Sequence, residues 1–268
     1  MITPKHISSL QPKKIASTDF IAGLAKGMAV LESFDTERQK LNATLASQRA
    51  GITRAAARRH LLTLAHLGYL ETDGAYFWLS PKVLRFSGSY LASARLPRIL
   101  QPTLNRLASQ TKKSFSVVVL DGDEVVIVAR SDGCDRRPSV TPYGLHLGAR
   151  LPAHATSTGR MLLASMEKPV FNAWCKGRIL SRFTSCTTTT TTALRKLVAQ
   201  ARAQDWCFVA QEHEIGVYAL SVPLRNMHGK TIAALNVVVS AASEADMSWV
   251  DQILPLLTAA AHEARSHL

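Results

Sequence analysis

Acidic residues, cysteines and long apolar runs are scarce in this 268-residue sequence, and each scarcity excludes a class of protein. Only 19 Asp and Glu oppose 32 Lys and Arg, which leaves a net charge of +13. The four cysteines form no C-x-x-C pair, so we expect reduced thiols and no metal. No apolar run approaches the roughly 18 to 20 residues of a membrane helix, and the first 14 residues lack a signal peptide's apolar segment. We therefore expect a cytoplasmic protein with no cofactor and no membrane partner.

The chain does contain enough apolar material to build cores. Its 47% apolar residues and mean hydropathy of +0.04 exclude a disordered polycation, and its length is typical of two ordinary domains. The first 100 residues hold 14 Lys and Arg against 6 Asp and Glu, and residues 38–70 contain six basic residues and no acidic one. Such a concentration of positive charge indicates an anionic partner, either nucleic acid or a membrane surface.

Helical periodicity in and around this acid-free span decides whether the expected partner is nucleic acid or a membrane surface. A short amphipathic helix is predicted over 24–34. Asn42 can cap a second helix, and Gly51 supplies the turn that ends it. Thr53 can cap a third helix, which continues to about His66. Two short helices joined by a glycine turn, the second with outward arginines, are typical of a helix-turn-helix.

The third helix and the hairpin after it complete the motif. Ala57, Leu61 and Leu64 form an inward stripe, so this helix has no free apolar face to lay on a membrane. Strands over 69–72 and 76–79, joined by Asp73 and Gly74, predict a wing. The sequence therefore predicts a winged helix-turn-helix that binds double-stranded DNA.

Basic and short side chains around the third helix are the expected DNA contacts. We expect Arg54 or Arg58 to contact base edges in the major groove, where a bidentate arginine contributes about 1–3 kcal/mol of discrimination. Arg49 and Arg59 are expected to contact the phosphate backbone. For each arginine of the third helix, phosphate contact is the alternative to reading a base. The full predicted set is Lys40, Thr44, Arg49, Thr53, Arg54, Ala55, Arg58 and Arg59.

A connecting helix and a larger domain follow the wing. The apolar spacing of the connecting helix favours pairing with a second copy of itself. Beyond it, helices and hairpin strands are interspersed, which is typical of an α+β antiparallel sheet with a concave face. The predicted segments are a flexible tail over 1–19, the winged domain over 20–81, the linker helix over 82–96 and the larger domain over 97–268.

Two details of the larger domain are also expected from residue type. The six-threonine tract over 187–192 is predicted to be a polar loop without chemistry, because β-branched residues disfavour helix. The C-terminal helix over 243–268 is predicted to be interrupted at Pro255.

Three ordered motifs resemble the IclR family of bacterial transcriptional regulators. They are FIAGLAKGMAVLESF at 20–34, LPAHATSTGRMLLA at 151–164 and EIGVYALSVPLRNMHGKTIAALNV at 214–237. The start of the first motif and ATSTGR in the second are most similar to the branch that controls aromatic-acid catabolism through the β-ketoadipate pathway. The resemblance implies a GAF-like effector domain that binds a small organic acid. It also implies homodimers, often paired into homotetramers, on a palindromic promoter site.

The residues themselves also indicate a carboxylate site. Ser157 or Thr158 is expected to cap a helix, where hydroxyls, free N–H groups and the helix dipole together favour an anion. Plain capping is the alternative. The histidines at 146 and 154 and Arg160 are expected as supporting donors or as structural residues.

The resemblance assigns the effector pocket to positions that match its motifs. Val209 stands where some family members have an acidic residue, and Asn236 where they have serine, which implies a less acidic pocket. Strand alternation agrees with these positions and adds Ser221. The predicted pocket comprises Leu151, Ser157, Thr158, Val209, Val217, Ala219, Ser221 and Asn236.

Two other functions fit part of the sequence. Glu212, His213 and Glu214 could serve an enzyme that acts on a small acid, but the sequence has no nucleophile elbow, H-E-x-x-H motif, phosphate loop or dinucleotide fingerprint. A DNA-binding protein without a ligand leaves the larger domain unexplained. We therefore predict a ligand-responsive regulator rather than an enzyme. Its partners would be promoter DNA and an aromatic acid or another β-ketoadipate-pathway metabolite.

Overall fold

The computed structural model describes residues 15–35, 38–131, 145–240 and 248–268. The chain forms two compact units, one ending at Ser93 and one beginning at Ala94. Most of the predicted N-terminal tail, Cys134 and the start of the predicted C-terminal helix lie outside the described residues. None of the helices in the described ranges is long and apolar enough to cross a membrane.

The first unit is a winged helix-turn-helix followed by a connecting helix, as predicted. Its antiparallel strands β1 and β2 form the wing, and a short 3-10 turn precedes the connecting helix. The elements are α1 (Ala22–Leu31), α2 (Ala43–Ala50), α3 (Arg54–His66), β1 (Leu70–Thr72), β2 (Phe77–Leu79), the turn Pro81–Val83 and α4 (Leu84–Ser93).

Local side-chain chemistry sets the ends of these helices. Asn42 caps α2 by accepting the Leu45 N–H at 3.0 Å, and Gly51 ends it with a φ of +64°. Thr53 caps α3, as predicted. The predicted end of α1 at residue 34 is three residues too late. The Ser33 hydroxyl donates to the Val30 carbonyl at 2.6 Å, which competes with continuation of the helix.

An isolated β-bridge that the sequence did not indicate joins the wing to the segment before α2. Leu41 and Phe77 exchange backbone hydrogen bonds of 2.9 and 2.8 Å, which ties the segment before α2 to β2. The Asp73 carboxylate accepts the N–H groups of Ala75 and Tyr76, and these bonds lower the pKa of Asp73. The wing is therefore fixed both to the helices and at its own turn.

The second unit is built on a six-stranded antiparallel sheet, in agreement with the predicted α+β class. The strand order is β5-β4-β3-β8-β7-β6. Its elements are α5 (Arg95–Thr111), β3 (Ser114–Asp121), β4 (Glu124–Ser131), β5 (Arg150–Pro152), the 3-10 turn Ala153–Ala155, α6 (Ser157–Ala164), α7 (Lys168–Cys175), α8 (Thr191–Gln204), β6 (Cys207–Ala210), β7 (Val217–Arg225), β8 (Thr231–Ser240), α9 (Ser248–Ala264) and the 3-10 turn Arg265–His267.

The sheet has a separate apolar core on each face. Helices α5 and α9 cover one face, where Leu104, Leu220 and Trp249 are buried. Helices α6 and α8 cover the other, where Leu163 and Val198 are buried. On this second face a row of polar side chains crosses the sheet in register: Ser116 on β3, Asn236 on β8 and Ser221 on β7.

One local prediction in this unit is wrong, and another holds for only part of its segment. Pro255 lies inside α9, which continues on both sides of it because Ile253 and Leu257 are both buried in the core. The threonine tract is not all loop, because α8 begins at Thr191. Thr190 caps that helix by accepting the Ala193 N–H at 3.2 Å. Threonine is unfavourable inside a helix but favourable at its N-cap.

Candidate functional site

Helix α3 presents its basic residues on the face opposite its core. Ala57 and Leu61 are completely buried, and Leu64 on the same stripe is 9% exposed. The predicted contacts Thr53, Arg54, Ala55, Arg58 and Arg59 are all exposed. The short side chain of Ala55 between the arginines allows this end of the helix to approach a surface closely. The geometry matches a recognition helix that enters a groove.

The other predicted DNA contacts lie before and within α2. Thr44 is exposed. The Lys40 ammonium lies 4.5 Å from the centre of the Trp78 ring in the wing, a cation–π contact that holds this cation at the edge of the motif. Arg49 forms an ion pair with Asp35. Sequence analysis missed this pair because Asp35 lies just outside the acid-free span. Arg49 is therefore partly neutralised.

The second unit contains a cavity on the α6 face of its sheet, with about 640 Å³ of empty space including its opening to solvent. Small-molecule sites have mostly apolar walls with a few polar groups, and this wall has the same character. The residues that line the cavity are Ser116, Val118, Ile127, Leu145, Leu151, Ala155, Thr156, Ser157, Thr158, Val209, Glu212, His213, Glu214, Val217, Ala219, Asn236 and Val238.

All but one of the predicted pocket residues lie on this wall. The exception is Ser221, which is completely buried and whose hydroxyl lies 3.5 Å from the Cys207 carbonyl. The side chain of Ser221 lies on the predicted face of its strand, but Ser221 pairs with Cys207 on the edge strand β6, and the cavity does not extend to it. Strand alternation indicates only the face of a residue, and the register of neighbouring elements decides whether a cavity reaches it.

The start of α6 differs from the prediction in a way that matters for binding. The cap is Thr156, whose hydroxyl accepts the Gly159 N–H at 3.2 Å and donates to the Pro152 carbonyl at 3.0 Å. Ser157 and Thr158 are the first two helical residues. Because Thr156 does the capping, the Ser157 hydroxyl is left for another partner.

Two buried polar atoms on the cavity wall have no hydrogen-bond partner among the described residues. They are the Ser157 hydroxyl oxygen and the Asn236 amide oxygen, in side chains that are 1% and 7% exposed. An unpaired buried polar atom costs about 1–3 kcal/mol, so native proteins rarely leave one without a purpose. The Ser157 hydroxyl lies at a helix N-terminus, where the backbone N–H groups and the helix dipole favour an anion. The wall therefore presents a donor for an anion and a separate amide.

A glycine in the first turn of α6 fixes its position beside the preceding turn. A Cβ placed on Gly159 would lie 2.2 Å from the Ala153 carbonyl oxygen and 2.3 Å from its Cα. Only glycine permits this approach. The close contact holds the helix N-terminus at the cavity.

The expected supporting donors do not line the cavity. Arg160 is buried behind it, where its guanidinium donates to the His154 carbonyl at 2.8 Å and to the Glu212 carboxylate at 2.5 Å. The His154 ring lies 3.0 Å from the Ser181 carbonyl, and the exposed His146 ring lies 2.9 Å from the carbonyl of Leu147. These side chains therefore hold the fold in place around the site.

Several wall residues were missed as binding residues. Ser116 is next to Asn236 in the register of β3 and β8, which the sequence does not show. The sequence suggests only acid–base roles in an enzyme for the loop residues Glu212, His213 and Glu214, yet Arg160 holds the Glu212 carboxylate. Burial and the nearby His154 lower the pKa of His213. In the described ranges no three His, Cys, Asp or Glu side chains are grouped to hold a metal ion.

Known proteins resemble this chain along most of its length. It is 48% identical to the "Pca operon regulatory protein" of Acinetobacter baylyi, over 97% of this chain and 94% of that protein. It is also 48% identical to the "p-hydroxybenzoate hydroxylase transcriptional activator" of the same organism, over 95% of this chain and 94% of that protein.

Two similar crystal structures contain hydroxybenzoates. One is the inducer-binding domain of a double mutant of the PobR transcription factor from Acinetobacter, in complex with 3-hydroxybenzoic acid. It is 43% identical, covers 64% of this chain and 98% of that one, and has a TM-score of 0.61. The other is an IclR homologue from Microbacterium hydrocarbonoxydans in complex with 4-hydroxybenzoate. It is 26% identical, covers 92% of this chain and 99% of that one, and has a TM-score of 0.73.

Family profiles match both units. Residues 23–74 match the "IclR helix-turn-helix domain", and residues 88–265 match the "Bacterial transcriptional regulator IclR C-terminal". These are domains of regulators and not of enzymes, so the enzyme interpretation of Glu212, His213 and Glu214 is not supported. This chain, with its winged helix-turn-helix and its cavity-bearing second unit, belongs to the IclR family of bacterial transcriptional regulators.

Proposed function

We propose that this protein regulates genes of aromatic-acid catabolism, binding promoter DNA through its first unit and a hydroxylated aromatic carboxylic acid through its second. Residues 20–81 would form the DNA-binding domain, 82–96 the link and 97–268 the effector domain. We place the protein in the cytoplasm, where promoter DNA is found. The names and bound ligands of its relatives support this chemical class.

The observation that carries the proposal is the pair of unpartnered polar atoms on the cavity wall. In our proposal the effector carboxylate accepts the Ser157 hydroxyl and the free N–H groups at the start of α6. The ring lies against apolar wall residues such as Ile127 and Leu151. A ring hydroxyl donates to the Asn236 amide oxygen, which has no other partner among the described residues. One small molecule with an acid group and a hydroxyl group satisfies both.

The effector site would comprise seven of the residues expected from sequence. Each lines the cavity, and Ser221 is omitted because it does not. The proposed site is Leu151, Ser157, Thr158, Val209, Val217, Ala219 and Asn236.

The DNA site would be the exposed face of α3 together with the edge of α2. Arg54 or Arg58 would contact base edges, and Arg59 and the partly neutralised Arg49 would contact phosphates. Lys40, Thr44, Thr53 and Ala55 complete the proposed set. The absence of acidic residues over 38–70 keeps this surface positive.

We also propose that the protein works as a homodimer, with pairing into homotetramers on a palindromic promoter. Helix α4 has no buried residue, and its Leu84 and Phe86 are 64% and 63% exposed. Large apolar side chains grouped on an exposed helix are typical of an interaction surface. Two winged domains in a dimer would bind the two half-sites of a palindrome.

The effector proposal is tested by calorimetric titration of the full-length protein with 4-hydroxybenzoate, 3,4-dihydroxybenzoate and benzoate. We expect the two hydroxylated acids to bind and Ser157→Val to abolish that binding. Ser165→Val is the matched control, because Ser165 is exposed at the other end of α6. Asn236→Leu should remove the preference for 4-hydroxybenzoate over benzoate. Failure of the wild type to bind any of these acids would overturn the proposal, and binding by Ser157→Val would overturn the site.

A further inference from the structure

The cavity wall includes a segment that belongs to no strand or helix. Glu212, His213 and Glu214 line the cavity between β6 and β7. No ladder among the described strands includes these residues. The Gln211 N–H donates to the Val217 carbonyl at 2.7 Å and the Val217 N–H to the Glu214 carbonyl at 3.3 Å, which closes the loop. Within the loop, side-chain contacts hold Glu212 and so help to set the shape of the cavity.

The buried Thr187 supplies the central contact. Its hydroxyl donates to the Glu212 carbonyl at 2.6 Å and accepts the N–H groups of Phe183 and Thr184 at 3.0 and 2.8 Å. The neighbouring Thr184 hydroxyl donates to the Gln211 carbonyl at 2.7 Å. Thr187 is 5% exposed and does not line the cavity, so any influence on a ligand acts through Glu212.

The Glu212 side chain is held in the same way as its backbone. Its carboxylate accepts the Thr188 N–H at 2.7 Å and the Arg160 guanidinium at 2.5 Å. Arg160 lies three residues after Ser157, on the helix whose N-terminus we assign to the effector carboxylate. The network therefore joins the threonine tract, the 212–214 wall and α6.

We propose that Thr187 is a positioning residue of the effector cavity. Its hydroxyl, together with the Arg160–Glu212 pair, holds the 212–214 wall in the shape that binds the effector, and so increases affinity without contact with the ligand. This inference rests on the proposed function. A wall ordered before binding spares the ligand the entropic cost of ordering it. The threonine tract, for which the sequence predicted no chemistry, thereby has a role in binding.

The test compares three variants of the full-length protein. Thr187→Val keeps the shape of the side chain and removes the hydroxyl. Thr192→Val makes the same change at an exposed position of the same tract and is the matched control. Thr187→Ser keeps the hydroxyl and removes only the methyl group. For each we would measure hydrogen exchange of the 211–217 amides without ligand, and the Kd for 4-hydroxybenzoate by calorimetry.

We expect Thr187→Val to speed exchange over 211–217 and to weaken binding about tenfold, within the usual range of coupling between sites. Thr192→Val and Thr187→Ser should stay close to the wild type. Thr184→Val, which removes the bond to the Gln211 carbonyl, should weaken binding several-fold and serves if Thr187→Val does not fold.

The outcomes separate this inference from the proposed function. If the wild type binds 4-hydroxybenzoate and the Thr187→Val protein binds it equally well, the positioning role is wrong and the function stands. Equal exchange over 211–217 in Thr187→Val and Thr192→Val also overturns the positioning role. If the wild type binds no aromatic acid, the proposed function is wrong, and the exchange comparison alone decides whether Thr187 orders the wall.

Discussion

The guanidinium of Arg160 lies 2.5 Å from the carboxylate of Glu212, and both residues are buried. The two residues are 52 positions apart, so this contact fixes α6 against the loop before β7. Two charges removed from water are each costly, and their attraction offsets that cost only while both are present. The pair is therefore a sensitive point of the second unit.

Glu212→Gln should destabilise the second unit strongly. It leaves the Arg160 charge buried without its counterion, and loss of one partner of a buried pair costs about 3–5 kcal/mol of unfolding free energy. Urea denaturation followed by circular dichroism measures the loss. Glu263→Gln is the control, because the Glu263–Arg106 pair is half exposed and should contribute less than about 1 kcal/mol. Equal losses in the two variants would show that burial of the pair has no energetic consequence.

Gly159→Ala should disrupt the start of α6. The added Cβ would meet the Ala153 backbone at 2.2 Å, a contact that only backbone movement can relieve. We expect a lower thermal midpoint and loss of effector binding. Gly23→Ala is the matched control, because that helical glycine has open space around it and alanine should stabilise α1 by up to about 1 kcal/mol. An unchanged midpoint and affinity for Gly159→Ala would contradict this interpretation.

Arg54→Ala combined with Arg58→Ala should abolish preference for the operator. A bidentate arginine–guanine contact contributes about 1–3 kcal/mol of discrimination, so losing the base reader weakens specific binding by roughly ten- to hundredfold or more. Gel-shift titrations at one salt concentration, with operator and unrelated DNA, provide the measurement. Arg98→Ala removes an exposed charge from α5 and should leave the preference intact. Retained operator preference in the double variant would exclude these arginines as base readers.

Arg59→Gln should lower affinity for operator and unrelated DNA alike. Each lost phosphate contact reduces the slope of log K against log salt by about one. Arg49→Gln should reduce it less, because Asp35 already pairs with that arginine. Titrations over a series of salt concentrations compare the two slopes. A change confined to the operator would instead make Arg59 a base reader.

Stability of the second unit should fall as the pH drops from 7.5 to 5.5. Burial lowers the pKa of His154 and of His213 below the ordinary value near 6.5, so both rings bind protons less readily in the native state than in the unfolded chain. The unfolded chain binds more protons in this window, and acidification therefore favours unfolding. The hydrogen bond from Arg225 lowers the pKa of the Asp205 carboxyl. This carboxyl therefore affects the pH dependence of stability only near pH 4 and below.

Urea denaturation at the two pH values checks this expectation. His154→Gln should make the free energy of unfolding less dependent on pH than in the wild type. His228→Gln removes an exposed histidine and should leave the dependence unchanged. Equal pH dependence in the wild type and His154→Gln would show that His154 does not contribute.

Sequence reasoning succeeded where the cause is local. The caps at Asn42 and Thr53 and the turn at Gly51 depend on residues within a few positions of each other, and all three are present in the structure. The same reasoning failed at α1, where the backbone turns at Ser33, and at Pro255, where burial of the helix outweighs proline's local preference.

Strand alternation predicts which face of the sheet a side chain lies on, but it does not predict whether that side chain lines the cavity. Ser221 and Asn236 lie opposite each other on neighbouring strands and share a face of the sheet, yet only Asn236 lines the cavity. Ser116 could not be found without the register of β3 against β8. The Arg49–Asp35 pair likewise required the fold to bring together a residue after α1 and a residue near the end of α2.

The basic helix-turn-helix, the antiparallel second domain and the family could be predicted from residue order alone, because helix caps, hydrophobic periodicity and motif order lie along the chain. Packing sets which hydroxyl at α6 is free to bind and what holds the cavity wall. Thr156 takes the capping role and leaves Ser157 unpaired, while Thr187 and Arg160 reach Glu212 from distant positions. Hydrogen-bond partners that are distant in sequence are set by packing, which no local pattern encodes.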